Sequence, residues 1–156
     1  MTIRRGIALV LFIALVAGVA VLGYLYQGSR TMDGLRTEAL DSARQYTEEL
    51  STYDYATPTT NLDRVIASST DDFATDYRDV STSLTDLLTQ GQGRATGHAV
   101  TAGIVEIDGE HAVVAVFLDQ EVSNLAVPDG RTDSSRMLIG LERSGDRWLL
   151  ASADPA

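Results

Sequence analysis

Apolar positions along this chain change rhythm twice. Residues 7–26, IALVLFIALVAGVAVLGYLY, run without a single charge. From Thr31 to about Tyr55 the residues Leu35, Ala39, Ala43, Tyr46, Leu50 and Tyr53 recur every three or four positions, which puts them on one face of a predicted helix. Thr57-Pro58 ends that pattern, because proline lacks an amide proton and biases the preceding residue away from helical angles. A short second helix is predicted from Thr60 to Ser68, with Thr60 and Asp63 as a capping box and Leu62, Val65 and Ile66 as its stripe. Ser69 or Thr70 then caps a third helix, whose Phe73, Tyr77, Val80, Leu84 and Leu87 repeat at helical intervals as far as Thr89.

Beyond Gly93 the rhythm becomes that of strands, with β-branched runs separated by turn residues. Ala95–Ile107 and His111–Asn124 form a predicted hairpin across Asp108-Gly109, a two-residue signal for a primed turn. A longer loop through Pro128-Asp129-Gly130 leads to a third strand at Ser134–Arg143, and Ser144-Gly145-Asp146 turns the chain into a fourth at Arg147–Ser152. Gly97, Gly103 and Gly140 are candidate bend or bulge points. The predicted fold class is α+β, with three helices packed on a curved four-stranded antiparallel sheet.

Residues 7–26 are long enough, as a helix, to reach roughly 30 Å, the thickness of a bilayer's hydrocarbon core. Arg4 and Arg5 precede the run, and the positive-inside tendency puts that flank in the cytoplasm. The expected organisation is a short cytoplasmic tail (1–6), a single transmembrane helix (7–26), a linker (27–34) and an exterior α+β domain (35–156), at the plasma membrane. A cleaved signal peptide is the rival, but its apolar region is usually shorter. Ala14 and Gly18 have the small-xxx-small spacing that lets membrane helices pack closely.

Composition narrows the chemistry. Beyond the apolar run there are ten arginines, no lysine and all 22 acidic residues, so nucleic acid is excluded as a partner by charge. Without cysteine there is no disulfide, thiolate nucleophile or cysteine-based zinc site. His98 and His111 are the only histidines, and neither has a second at ligand spacing, so no metal and no cofactor is expected. No serine sits in a nucleophile elbow, and no phosphate-binding glycine loop occurs. In Asp119-Gln120-Glu121-Val122-Ser123-Asn124, alternation places Asp119 on one face and Gln120 and Asn124 on the other. Tyr53, Tyr55 and Tyr77 read as core or groove residues. With His98, Asp119, Gln120 and Asn124 they make up the candidate pocket or interaction set.

Tyr53-Asp54-Tyr55, Phe73 with Tyr77, the 119–124 strand segment, Arg136-Met137-Leu138-Ile139-Gly140-Leu141-Glu142-Arg143 and Asp146-Arg147-Trp148-Leu149 follow one another in an order that resembles the Mce-associated membrane proteins of actinobacteria. The resemblance covers nearly the whole chain. It implies a fold similar to nuclear transport factor 2 and VirB8, no catalytic motif, and a role as a non-enzymatic accessory subunit assembling or stabilising an Mce-type lipid import complex in the cell envelope. Its implied partners are Mce transporter subunits or other envelope proteins. Three other functions fit the same fold: a passive lipid- or sterol-binding domain, a VirB8-like secretion scaffold, and a small isomerase or dehydratase whose cone is lined by Tyr77, His98 and Asp119.

Overall fold

Helix α1 ends in a way that changes the sheet. In the computed structural model, which describes residues 32–156, α1 covers residues 32–51 and lies mostly in a compact unit, Arg36–Ala156. The predicted helix would have run on to Tyr55. Instead Tyr53–Asp54 form a two-residue strand, β1, which pairs antiparallel with the next strand through Tyr53↔Ala95 and Asp54↔Arg94. Side chains favour this pairing over another helical turn: Arg94 Nε lies 3.3 Å from Asp54 Oδ1, and its guanidinium sits 5.0 Å from the Tyr55 ring centre. The sheet therefore has five strands, and the expectation of four is corrected.

Helix α2 spans Pro58–Ala67 and starts two residues before its predicted capping box. Proline's missing amide costs nothing in a first helical turn, so Pro58 opens the helix and Thr60 falls inside it. Helix α3, Asp71–Gly91, begins as expected. Thr70 accepts from the Phe73 N–H, and Asp71 and Asp72 sit in the first turn, where the helix dipole favours negative charge.

Strands β2 (Arg94–Ile107), β3 (His111–Asn124), β4 (Val127–Ser144) and β5 (Arg147–Pro155) complete an all-antiparallel meander in the order β1-β2-β3-β4-β5. β4 starts seven residues earlier than predicted. Asn124 Oδ1 accepts from Ala126 N and Val127 N, so the turn closes at once, and Pro128-Asp129-Gly130 are absorbed as a bulge between the pairs Asn124↔Val127 and Val122↔Arg131. Register also shifts at Val100, at Val105 and beside Gly140, and these bulges curve the sheet. Of the three predicted bend glycines only Gly140 is next to one.

The β2–β3 turn is not primed either, since Gly109 has no left-handed backbone. The Asp108 carboxylate accepts instead from the N–H groups of Glu110 and His111, both at 2.7 Å, and those two bonds hold it below the usual carboxylate range. A carboxyl held low stabilises the fold above its ordinary pKa and loses that effect as pH falls through the lowered one. Asp108→Ala should therefore speed hydrogen exchange at the Glu110 and His111 amides near neutral pH. Acidification should lower the protection factors of the same two amides in the unaltered protein, once the slower intrinsic exchange at low pH is divided out.

Alternation assigns the faces. Ala112, Val114, Val116 and Leu118 of β3, Ile139 and Leu141 of β4, and Trp148 and Leu150 of β5 point toward the helices and are buried. Against them α1 lays Ala39, Ala43 and Tyr46, small residues first, so that the helix lies close to the sheet. Thr47 and Ser51 are buried without polar cost, because their hydroxyls donate to the carbonyls of Ala43 (2.7 Å) and Thr47 (2.5 Å). Tyr46 Oη donates to the Trp148 carbonyl at 2.6 Å. At the far edge, Thr70 N and Leu150 N bond to Leu150 O and Ser68 O, each at 2.9 Å, so the α2–α3 connection covers part of β5.

The expectation of a single-pass membrane protein, held in the bilayer by residues 7–26 with its domain outside, is corrected this far: the described residues do not support it. Among the described residues no helix is long and apolar enough to cross a membrane. The longest, α3, carries Asp71, Asp72, Asp76, Arg78, Asp79 and Asp86. Residues 7–26, with the Ala14 and Gly18 pair, lie outside the described residues, as do the tail at 1–6 and most of the linker.

Candidate functional site

The candidate residues separate into five places. Tyr53 and Tyr77 line a narrow cleft of about 40 Å³ with Leu50, Leu62, Leu84 and Leu88, where α2 and α3 meet the end of α1. The Tyr77 ring stacks on Phe73 with 5.8 Å between centres. Tyr55 lies in the turn after β1, beneath Arg94. Gln120 points to the helix side, where its Nε2 donates to the Ser51 carbonyl at 2.6 Å and satisfies the C-terminal end of α1. Asn124 closes the β3–β4 turn. His98 and Asp119 are register partners on the face away from the helices, where Asp119 accepts from Ser134 Oγ at 2.6 Å.

An acid and a base working together would need Tyr77, His98 and Asp119 in one cavity. The sheet keeps them apart, with Tyr77 on the helix side and the other two on the far side. The helix side itself is filled by Trp148, Ile139, Leu150, Val65, Val114 and Val116. An open cleft of about 460 Å³ at the end of the sheet is lined by Arg94, Thr96, Glu121, Asp129, Arg131 and Thr132, but Arg94 is engaged by Asp54 and Arg131 by Asp133 at 2.9 Å. Among the described residues no group of three or more His, Cys, Asp or Glu is placed to hold a metal ion.

Burial raises the pKa of Tyr46, Tyr53 and Tyr77, assisted by the nearby carboxylates of Glu49 at Tyr46 and Asp133 at Tyr53. These are phenols that the unfolded chain releases first, so stability should fall as pH rises past the ordinary tyrosine value of about 10. Urea unfolding at successive alkaline pH values checks this. Replacing Tyr46 by Phe should flatten the fall, and should lower neutral-pH stability by about 1 kcal/mol through loss of the bond to the Trp148 carbonyl.

The surface that sequence reasoning missed is on α3. Its predicted stripe was expected to face the core, yet Val80 is 65%, Leu84 41% and Leu87 66% exposed. The helix is rotated so that Ala74 and Ser81 are buried. Their small side chains allow close packing, and the Ser81 hydroxyl is satisfied by the Tyr77 carbonyl. A second set at helical spacing, Ala74, Tyr77, Ser81, Leu84 and Leu88, was visible in the sequence but scored lower for hydrophobicity. Leu125 is also exposed, and its N–H donates to Gly91 O at 3.0 Å, beside the end of α3. On the sheet's far face Phe117 is 47% exposed, between its register partners Thr101 and Arg136.

Comparison with solved structures identifies the fold. The chain superposes on an IcmL-like type IV secretion system protein from Legionella pneumophila with a TM-score of 0.64 at 12% identity, covering 78% of this chain and 91% of that one. It is similar to CagV, a VirB8 homolog from Helicobacter pylori, with a TM-score of 0.60 at 7% identity, covering 77% of this chain and 98% of the other. The periplasmic domain of DotI matches with a TM-score of 0.60 at 11% identity, covering 76% and 94%. The fold is thus that of the VirB8-like structures. None of these comparisons links the chain to Mce transporters or to lipid import, so the Mce-based role and partners are corrected. No curated protein matches the sequence. A family model described as uncharacterized protein Rv1363c/MT1408-like matches residues 1–144, and the chain belongs to that family.

Proposed function

We propose that the domain is a non-catalytic scaffold that holds together components of a secretion-type assembly. The observation that carries this reading is the filled helix side of a VirB8-like sheet, combined with apolar side chains left exposed on α3 and at Phe117. Burying the core stabilises the domain, while exposed apolar patches mark surfaces made for contact. The solved structures with this fold include a type IV secretion system protein and a VirB8 homolog of such a system, which supports the same class of role here. The narrower kinship with Mce-associated proteins rests on sequence motifs alone, and the lipid-import role it implied is withdrawn.

The test is the native size of the tagged full chain, expressed at its own level and extracted gently from its own cells. The scaffold reading expects it to migrate with other proteins in an assembly far larger than its 16.8 kDa. Migration as a free monomer under conditions that keep other large protein assemblies of the same cells intact would refute it.

A further inference from the structure

We infer that the exposed stripe of α3 is a docking surface for a basic amphipathic helix of a partner protein. Val80, Leu84 and Leu87 lie four and three residues apart, so they form one line along the helix. Leu84 also rims the narrow cleft with Tyr77 and Leu88, so the line borders a recess able to take a small apolar side chain. Helical geometry then puts Asp72, Asp76, Asp79 and Asp86 along the border of the stripe that faces away from the buried Ala74 and Ser81. The one basic residue of α3, Arg78, projects from the far side of the helix, well away from the stripe. An apolar line flanked by four carboxylates matches a helix with an apolar face and lysines or arginines beside it. A second copy of this chain is a poor occupant, because pairing two such stripes brings one aspartate border against the other.

This deepens the scaffold reading and takes its biological setting from it, but the binding itself is measured separately. The probe is a labelled leucine–lysine peptide of about 18 residues patterned as an amphipathic helix, titrated into the full chain and followed by fluorescence anisotropy. A peptide of the same composition in scrambled order, and a leucine–glutamate peptide with the original pattern, are the controls. The patterned basic peptide should bind at least about tenfold tighter than either. V80S/L84S/L87S should abolish that advantage, and D76N/D79N/D86N should weaken binding and reduce its salt dependence. Val80, Leu87, Asp76, Asp79 and Asp86 lie on the exposed side of α3, so D76N/D79N/D86N should keep the unfolding midpoint of the parent protein, and V80S/L87S, which leaves the cleft residue Leu84 in place, should keep it too while losing the same advantage. Equal binding of scrambled and patterned peptides would reduce the effect to general attraction by an acidic protein and overturn the proposal. Unchanged binding by V80S/L84S/L87S would overturn it as well, as would a dimer of the parent protein that this variant dissociates. A large native assembly that survives V80S/L84S/L87S would sink this surface while leaving the scaffold reading intact.

Discussion

Trp148→Ala should remove about 3 kcal/mol or more from the stability of the domain, the range expected for emptying a fully buried aromatic site. Trp148 is 1% exposed, the largest of the fully buried side chains, and sits where α1 meets the sheet. Its backbone carbonyl receives the Tyr46 hydroxyl, and the Arg143 guanidinium lies 5.5 Å from its ring centre while bonding Glu38 of α1 at 3.2 Å. Emptying the site therefore removes packing for both flanking contacts at once. One feature moderates the loss: the indole Nε1 is buried without a hydrogen-bond partner, so its removal recovers some desolvation cost. Trp148→Phe keeps most of the volume and discards that N–H, and should cost clearly less than the alanine variant. Natural domains are stable by only about 5–15 kcal/mol, so the alanine variant is expected to unfold at much lower urea. A loss below about 1 kcal/mol would mean the site is not part of the core.

Gly97→Ala should be the most damaging one-carbon change in the sheet. A Cβ at this position would stand 2.7 Å from Ser51 Cβ, closer still to Ser51 Oγ, and 3.2 Å from Leu118 Cδ1. The end of α1 cannot easily retreat. Gly97 N donates to Thr52 Oγ1 at 3.1 Å, Ala99 N to Glu48 Oε1 at 3.0 Å, and Gln120 Nε2 to the Ser51 carbonyl. Overpacking of this kind costs about 1–3 kcal/mol, and the fixed neighbours favour the upper end. Ser51→Gly removes the obstructing side chain, so the double variant should be more stable than the sum of the single losses allows. Additive losses in urea unfolding would show that the two residues do not touch.

Gly97 also illustrates what the sequence could and could not convey. It was marked as a bend point, a role glycine often has in strands, but its function is close approach: only a hydrogen fits beneath Ser51. That depends on where α1 lands, which no local pattern encodes. The strands were readable because alternation and turn residues are local signals. The hairpin between Ile107 and His111 and the β-rich character after Gly93 both emerged from that reading. β1 was not readable, since two residues have no periodicity, and its pairing depends on Arg94 some forty positions away. Pro128-Asp129-Gly130 looked like a loop because its residues favour turns, while the ladder on both sides made it a bulge.

The candidate site was harder to read. Tyr77, His98 and Asp119 were grouped by chemistry, and only the pleat shows that the sheet divides them. Helix α3 exposes the same limit in another form. Hydrophobicity alone selects Val80 and Leu87 for the core, whereas close packing chose Ala74 and Ser81. The residues left outside by that choice are the ones that give the domain something to bind with.

Crosslinking mass spectrometry with a carboxylate-reactive crosslinker, on cells expressing the full chain at its native level, tests the scaffold role most directly, because the chain has no lysine and 22 acidic residues. Crosslinks are expected from exposed residues of Arg36–Ala156 to more than one other protein of the same assembly, including crosslinks from the α3 region. A chain crosslinked to nothing, in cells where other multiprotein assemblies are captured intact, would contradict the scaffold role.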